Sequence, residues 1–416
     1  MHGSIKSGEL FIHIMQNKKS SNSTRPGNKD WRTKSSQNRS KNTNNQKEST
    51  LDNRVFVKKA MALEENKYET NLLVKDLPVN LKVKENLLAK GYEKPTEIQE
   101  KTLKALLDGR NVMGLAQTGT GKTAAFLVPI VHLLVNTKAA HQVLVVVPTR
   151  ELAVQIEDEL KSIAKGLNIY SQVFIGGTSV NRDLDKLKRP CHFIIGTPGR
   201  LMDMENQRAL NFSNFNTLVL DEFDRLLDMG FSNDIKKMIS KMNNRKQTAL
   251  FSATEEASQK KLIYEILDNP VEVRVSVKNS TGDHIDQEVV HVKDGENKMD
   301  VLIEMLKNAA FQKVIVFAET KRWVSKVCKE LNRKGIKSDE IHGNKSQNYR
   351  QNALNAFKAE KIQVLVATDV AARGLDIEEV SHVINYQKPK NMDSYIHRIG
   401  RTGRAGKSGK AYTFVN

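Results

Sequence analysis

Short, nearly continuous apolar runs recur from about Asn71 onward, each followed by a stretch with helical spacing. NVMGLA (111–116), VLVVVP (143–148), VFIGG (173–177), HFIIGTP (192–198), TLVLDEFD (217–224) and ALFSAT (249–254) have the composition of strands buried on both faces. Helical patterns such as Thr123–Val135 and Glu151–Lys165 separate them. Strands alternating with helices predict a parallel sheet covered on both sides. After VEVRVSV the pattern lapses into the polar stretch Lys278–His284, then resumes with KVIVFAET (313–320), IQVLVATDV (362–370), HVINY (382–386) and KAYTFV (410–415). The predicted fold class is α/β, with two parallel-sheet domains in tandem at 69–277 and 286–416 and a linker at 278–285.

The first 60 residues carry 13 Lys/Arg against 4 Asp/Glu, so +9 of the chain's +18 sits there. Residues 16–50 are almost devoid of apolar side chains and cannot offset the entropy of ordering the chain, which predicts a disordered basic tail over 1–68. Such a tail serves as a solubilising extension, a polyanion tether or a contact for a protein partner. The more apolar ELFIHIM ahead of Met15 reads as an upstream extension of the start. Cys191 and Cys328 are too few and too far apart for a disulfide framework or a cysteine-built zinc site. The longest apolar run, Ala124–Val135, is shorter than the ~18–20 residues of a membrane span, and the N-terminus lacks a signal-peptide pattern. These features predict a cytoplasmic protein, with nucleic acid as the first candidate partner for its positive charge.

AQTGTGKT (116–123) follows a predicted strand and opens a predicted helix. Small residues there let backbone N–H groups approach phosphate oxygens, and a helix N-terminus adds partial positive charge. Lys122 would reach the β- and γ-phosphates and the Thr123 hydroxyl would bind Mg²⁺. Ala116 stands where the strict P-loop pattern has glycine; an ordinary Gly-rich turn is the competing reading. Asp221 and Glu222 end an apolar strand, the end that faces the ligand crevice in an open parallel sheet. Two adjacent carboxylates suit a Mg²⁺-held triphosphate: Asp221 for the ion, partly through water, and Glu222 for the attacking water.

With these motifs in order, the chain over about 70–416 resembles a DEAD-box RNA helicase of superfamily 2. The resemblance implies two RecA-like domains, ATP as substrate, Mg²⁺ as cofactor and RNA as partner. GYEKPTEIQ (91–99) is similar to the family's adenine-recognition motif, which implies that Gln99 bonds the adenine edge and Tyr92 stacks on the ring. Val74 occupies a position where the family usually has an aromatic residue. The phosphate loop is then Ala116, Gln117, Thr118, Gly119, Thr120, Gly121, Lys122 and Thr123. PTREL (148–152), Gly176–Gly177 and TPGR (197–200) resemble first-domain RNA motifs, implying contacts from Pro148, Thr149, Arg150, Gly177, Thr197 and Arg200. DEFD (221–224) has Phe223 where the family has alanine. Asp224 and the SAT segment, Ser252 to Thr254, are implied to couple hydrolysis to strand separation.

In the second half, VFAET (316–320) and the pair Gln347 and Arg350 resemble family motifs, the latter implying an RNA contact at Arg350. ATDVAARGLDI (367–377) resembles a motif touching RNA through Thr368 and the ribose through Asp376. HRIGRTGR (397–404) resembles the arginine-finger motif, with Arg401 and Arg404 on the γ-phosphate and His397 coupling to the first domain. Gln387 replaces an aspartate common in relatives. The chain ends twelve residues after Arg404, an expectation of no long C-terminal extension.

The expected function is ATP-dependent RNA helicase: a monomer whose domains close on ATP and RNA, and whose RNA contacts are mostly independent of sequence. An ATP-gated RNA clamp that unwinds poorly and a DNA translocase on the same frame are the alternatives. An unwinding assay beside an ATPase assay separates the first, and RNA against DNA stimulation the second.

Overall fold

The computed structural model describes residues 51–60, 68–117, 119–136, 142–189, 191–255, 257–275, 284–372, 377, 380–403 and 409–415. Thr118, Asp376 and Arg404, most of the expected tail and most of the expected linker lie outside the described residues.

The first lobe is built on a seven-stranded sheet in the order β3-β4-β2-β5-β6-β1-β7. Its strands are β1 (Val112–Leu115), β2 (Val143–Val146), β3 (Ser171–Phe174), β4 (Phe193–Gly196), β5 (Thr217–Leu220), β6 (Gln247–Ser252) and β7 (Val271–Arg274). The second lobe holds a six-stranded sheet in the order β10-β11-β9-β12-β13-β8. Here β8 is Ile285–His291, β9 Val314–Phe317, β10 Ser338–Ile341, β11 Val364–Ala367, β12 His382–Asn385 and β13 Gly409–Val415. Every pairing within both sheets is parallel.

Both faces of each sheet are dry, which is why the strands read as unbroken apolar runs. Val143 and Val145 enter one core and Leu144 and Val146 the other. In the second lobe Ile315 and Phe317 face one core, Val314 and Val316 the opposite one. The register sets the strand ends level: Leu115 lies beside Ser252, Val146 beside Leu220 and Gly196, and Phe174 beside Gly196. Each first-lobe motif therefore emerges on the same edge of the sheet.

Two strands, β8 and β10, were not expected. Both are edge strands with alternating or polar sequences, IDQEVVH and SDEI.

The expectation of a disordered tail over 1–68 is corrected for residues 51–60. Asn53–Phe56 forms a 3₁₀ turn capped by Asp52, and Phe56 is fully buried in the second-lobe core. Lys58 pairs antiparallel with Gln287 of β8. One aromatic side chain, invisible to a compositional reading, anchors this basic segment. Among the described residues no helix is long and apolar enough to cross a membrane.

Candidate functional site

The phosphate loop joins β1 to the helix Lys122–Asn136. Gly119 and Gly121 have φ of 88° and 89°, the left-handed region that glycine enters without strain. A Cβ on Gly121 would lie 2.5 Å from Gln99 Nε2, so this glycine also makes room for the neighbouring motif. The Ala116 N–H donates to Ser252 O at 3.0 Å and ties the loop to β6. Lys122 is buried, and its ammonium donates to Ala116 O at 2.6 Å. The Thr120 hydroxyl donates to Gln117 O at 2.7 Å, while Thr123 sits half-buried on the first helical turn.

Gln99 fixes the relation between two motifs. Its Oε1 accepts from Thr96 N at 3.0 Å, capping the helix Glu97–Leu107, and its Nε2 donates to Gly121 O at 3.1 Å. The amide expected at the adenine edge thus also braces the phosphate loop. Tyr92 packs against the first-lobe core, with its hydroxyl donating to Glu159 Oε1 at 3.3 Å. Val74 is buried there, and Val74, Tyr92 and Gln99 line one apolar pocket.

Asp221 and Glu222 leave β5 fully enclosed. Burial pushes the Asp221 carboxyl up to about 6, with the Lys122 charge pulling the other way. Asp221 Oδ1 accepts from Glu222 N at 2.9 Å. Glu222 has φ 49° and ψ 52°, a left-handed conformation that costs a non-glycine residue ~1–3 kcal/mol and recurs where geometry serves function. Its Oε2 lies 3.3 Å from Arg225 Nε. Phe223 is fully buried in the same core cluster as Leu220 and Leu226. The bonds to the SAT segment come instead from Asp224. Its Oδ2 accepts from Ala253 N, Thr254 N and Thr254 Oγ1 at 3.1–3.2 Å, and its N–H donates to Ser252 Oγ at 3.3 Å.

Pro148 and Thr149 follow β2, and Thr149 caps the helix Arg150–Ile163 by accepting from Leu152 N at 3.3 Å. The Arg150 guanidinium lies over the backbone at Gly176 and Gly177. A Cβ on Gly177 would come within 2.4 Å of Arg150 Nη1, at a φ of 84°. Thr197 precedes the helix Pro198–Asn206. Arg200 is buried, with Nη2 donating to Thr178 O at 2.8 Å and Nη1 3.2 Å from Asp183 Oδ2. This guanidinium, expected at RNA, is committed to shaping the loop after β3.

Among the described residues, contacts cross between the lobes at Glu151 and at Arg225. Gln347 Nε2 donates to Glu151 Oε1 at 3.1 Å, and Arg350 Nη2 lies 2.8 Å from Glu151 Oε2. Both partners of this ion pair are buried, and removing one would leave an uncompensated charge at ~3–5 kcal/mol. Elsewhere Arg225 Nη2 donates to His397 Nδ1 at 2.8 Å. His397 shares the helix Met392–Ile399 with Arg398, which forms a two-pronged pair with Asp369 and also donates to Gln387 O at 2.7 Å. Gln387 Oε1 accepts from Glu319 N at 2.7 Å. Arg401 is buried just beyond that helix, its Nε donating to His397 O at 3.2 Å. Thr368 sits half-buried at the end of β11. Reading the sequence missed Glu151, Asp183, Arg225, Asp369 and Arg398 as organising residues. Glu151, Asp369 and Arg398 lie inside quoted motifs and Arg225 directly follows one, whereas Asp183 had no such signal.

Residues 96–262 match the model of the DEAD/DEAH box helicase family and residues 297–406 that of the helicase conserved C-terminal domain. The chain is 43% identical over 325 residues to DEAD-box ATP-dependent RNA helicase CshA of Bacillus subtilis, covering 78% of this chain and 66% of that one. The CshA of Geobacillus kaustophilus is 42% identical, with 78% and 69% covered. Against CshA of Streptococcus pneumoniae, 43% identical, the chain spans 62% of the relative's length. Among solved structures, Mss116p bound to ssRNA and AMP-PNP superposes with a TM-score of 0.75 at 31% identity, covering 86% of this chain and 77% of that one. S. cerevisiae Dbp5 bound to RNA and ADP BeF3 gives 0.72 at 29% identity, with 83% and 89% covered. The motifs brought level at the strand ends and the matches across both lobes agree, and the chain belongs to the DEAD-box helicase family.

Proposed function

We propose that the chain is an RNA-stimulated ATPase that separates short RNA duplexes or remodels RNA–protein complexes. The observation that carries this reading is the pairing of motif residues across the lobes: Glu151 with Gln347 and Arg350, and Arg225 with His397. Hydrolysis and RNA binding are thereby linked to one closure. The relatives captured with RNA and a nucleotide analogue, AMP-PNP or ADP BeF3, support both ligands.

ATP lies on the phosphate loop, with Lys122 against its phosphates and Gln99 and Tyr92 at its base. Water adds to the γ-phosphorus, the bond to the β–γ bridging oxygen breaks, and Glu222 takes the water proton. Arg401 and Arg404 stabilise the charge that develops, and Asp376 holds the ribose. Asp221 and Thr123 supply the oxygen donors Mg²⁺ requires, and a cation beside Asp221 would relieve the charge its burial disfavours. Bound there, Mg²⁺ would neutralise phosphate charge. Pro148, Thr149, Arg150, Gly177, Thr197 and Thr368 face the RNA backbone, while Arg200 and Arg350 hold the surfaces around it. Asp224, Ser252, Thr254 and His397 transmit closure to the strand.

The test is release of a labelled strand from a short RNA duplex, measured beside ATP hydrolysis. Release that requires ATP supports the reading; hydrolysis without release indicates a clamp, and equal stimulation by DNA a translocase.

Gly177→Ala should drive the Arg150 guanidinium from its place and weaken RNA binding about ten-fold or more, ~1.5–3 kcal/mol for one charge-assisted contact. ATP affinity without RNA should not move; fluorescence anisotropy with labelled RNA measures the first and a nucleotide analogue the second.

Phe223→Ala empties a core position beneath the acid pair and should cost ~3–5 kcal/mol of stability. It should alter strand release per ATP more than the hydrolysis rate. The two activities shifting by one common factor would contradict a coupling role.

Residues 1–47 carry 10 Lys/Arg and 2 Asp/Glu, a net of +8. Each phosphate they neutralise on a single strand steepens the log–log salt dependence of binding by ~0.7. Deleting them should flatten the salt slope of RNA affinity and leave turnover at saturating RNA intact. Identical slopes in a salt titration of both forms would assign the tail to solubility or a protein partner.

A further inference from the structure

We infer that residues 51–60 position the arginine-finger helix, with Phe56 as the positioning residue; this rests on the reading of Arg401 as the arginine that meets the γ-phosphate. The segment precedes both matched family regions, which begin at residues 96 and 297. Yet its packing is with the second lobe, more than 200 residues away along the chain.

The anchoring is specific at four residues of the segment. Phe56 is fully buried between two exposed neighbours, Val55 at 38% and Val57 at 62%. Its ring meets Tyr395 edge-on, with centroids 4.8 Å apart and planes at 69°. Lys58 exchanges both backbone hydrogen bonds with Gln287 on the edge strand β8, at 3.0 and 2.7 Å. Ala60 N then donates to Asp286 Oδ1 at 2.9 Å, and Lys59 pairs with Glu288 at 3.4 Å. Gln287 closes the circuit: the strand residue that pairs with Lys58 also accepts the Tyr395 hydroxyl, at 2.9 Å.

Tyr395 lies on the helix Met392–Ile399, fully buried, two residues before His397 and six before Arg401. The segment therefore meets that helix through the ring of Tyr395, while Gln287, the residue it pairs with, holds the hydroxyl of the same tyrosine. Arg401 follows directly, bonded to the carbonyl of His397. A displacement of ~1 Å at a catalytic group can cost ~10²-fold in rate. A helix that has lost a buried aromatic support at its centre is free to make such a displacement. The ATP-binding residues on the first lobe would be untouched, so the effect belongs in turnover and not in affinity.

The experiment compares the full chain with Phe56→Ala and Phe56→Leu. Steady-state ATP hydrolysis at saturating RNA is measured together with hydrogen exchange of peptides covering 392–401. Phe56→Ala should lower kcat at least ~10-fold with the KM for ATP unchanged. It should speed exchange across 392–401 while β9 and β11 stay protected. Phe56→Leu, which refills most of the volume, should restore most of kcat. Unchanged kcat in Phe56→Ala, or exchange accelerated evenly through the whole second lobe, would overturn the proposal. If the unmodified chain lacks RNA-stimulated hydrolysis, the functional reading fails separately, and the exchange pattern alone still decides whether Phe56 orders this helix.

Discussion

Glu222→Gln is expected to bind ATP and RNA together and fail to turn over. The substitution keeps shape and hydrogen-bonding capacity but removes the carboxylate proposed as the base. Glu222 is buried and held left-handed at the start of the helix Phe223–Asp228, with its carboxylate aimed by the ion pair with Arg225. Such a cramped conformation persists only because Asp221 and Asp224 are themselves fixed on either side, by the backbone bond to Glu222 N and by the SAT segment. A general base contributes ~10²–10⁴-fold, so hydrolysis should fall by at least that lower figure. Closure depends on other residues, among them Glu151 with Arg350, and should survive. The mutant should then accumulate as a long-lived complex on RNA with ATP. Wild-type hydrolysis by purified Glu222→Gln protein, measured by phosphate release, would remove the assigned role.

Arg401→Ala should slow RNA-stimulated hydrolysis by ~10³-fold or more if it acts as arginine fingers do, with nucleotide-free RNA binding retained. Arg401 belongs to the second lobe and the described phosphate-loop residues to the first, so its charge would reach the phosphates only in the closed arrangement. Its backbone position follows from the helix Met392–Ile399, which Arg398 locks to Asp369 and Gln387. Truncating Arg398 should therefore be destabilising, whereas truncating Arg401 should affect rate. Single-turnover kinetics on Arg401→Ala separates the chemical step from release, and an unchanged chemical step would refute the finger role.

Much of this was legible because parallel strands buried on two faces leave continuous apolar runs, and the chemistry follows directly at their ends. The acid pair after TLVL and the phosphate loop after VMGL are local patterns, readable without neighbours. What escaped was long-range. The strands β8 and β10 lie at sheet edges, where polar alternation is allowed and the apolar signal fades. Arg350 and Arg200 read as RNA contacts, and their ion pairs with Glu151 and Asp183 come from tertiary folding. Gln99 read as an adenine contact, and its bond to Gly121 O required the loop geometry. Phe56 stood among basic residues, and its partner Tyr395 is over 300 positions away.

One catalytic site would be divided between the two lobes and completed only when RNA holds them together. The most direct measurement is the steady-state ATPase rate of the full chain, titrated with single-stranded RNA at saturating ATP. A divided site requires low basal hydrolysis that rises at least ~10-fold with RNA and saturates, together with tighter RNA binding when a non-hydrolysable ATP analogue is present, since coupling of two ligands is reciprocal. Hydrolysis that is already maximal without RNA, or RNA affinity indifferent to the analogue, would contradict it.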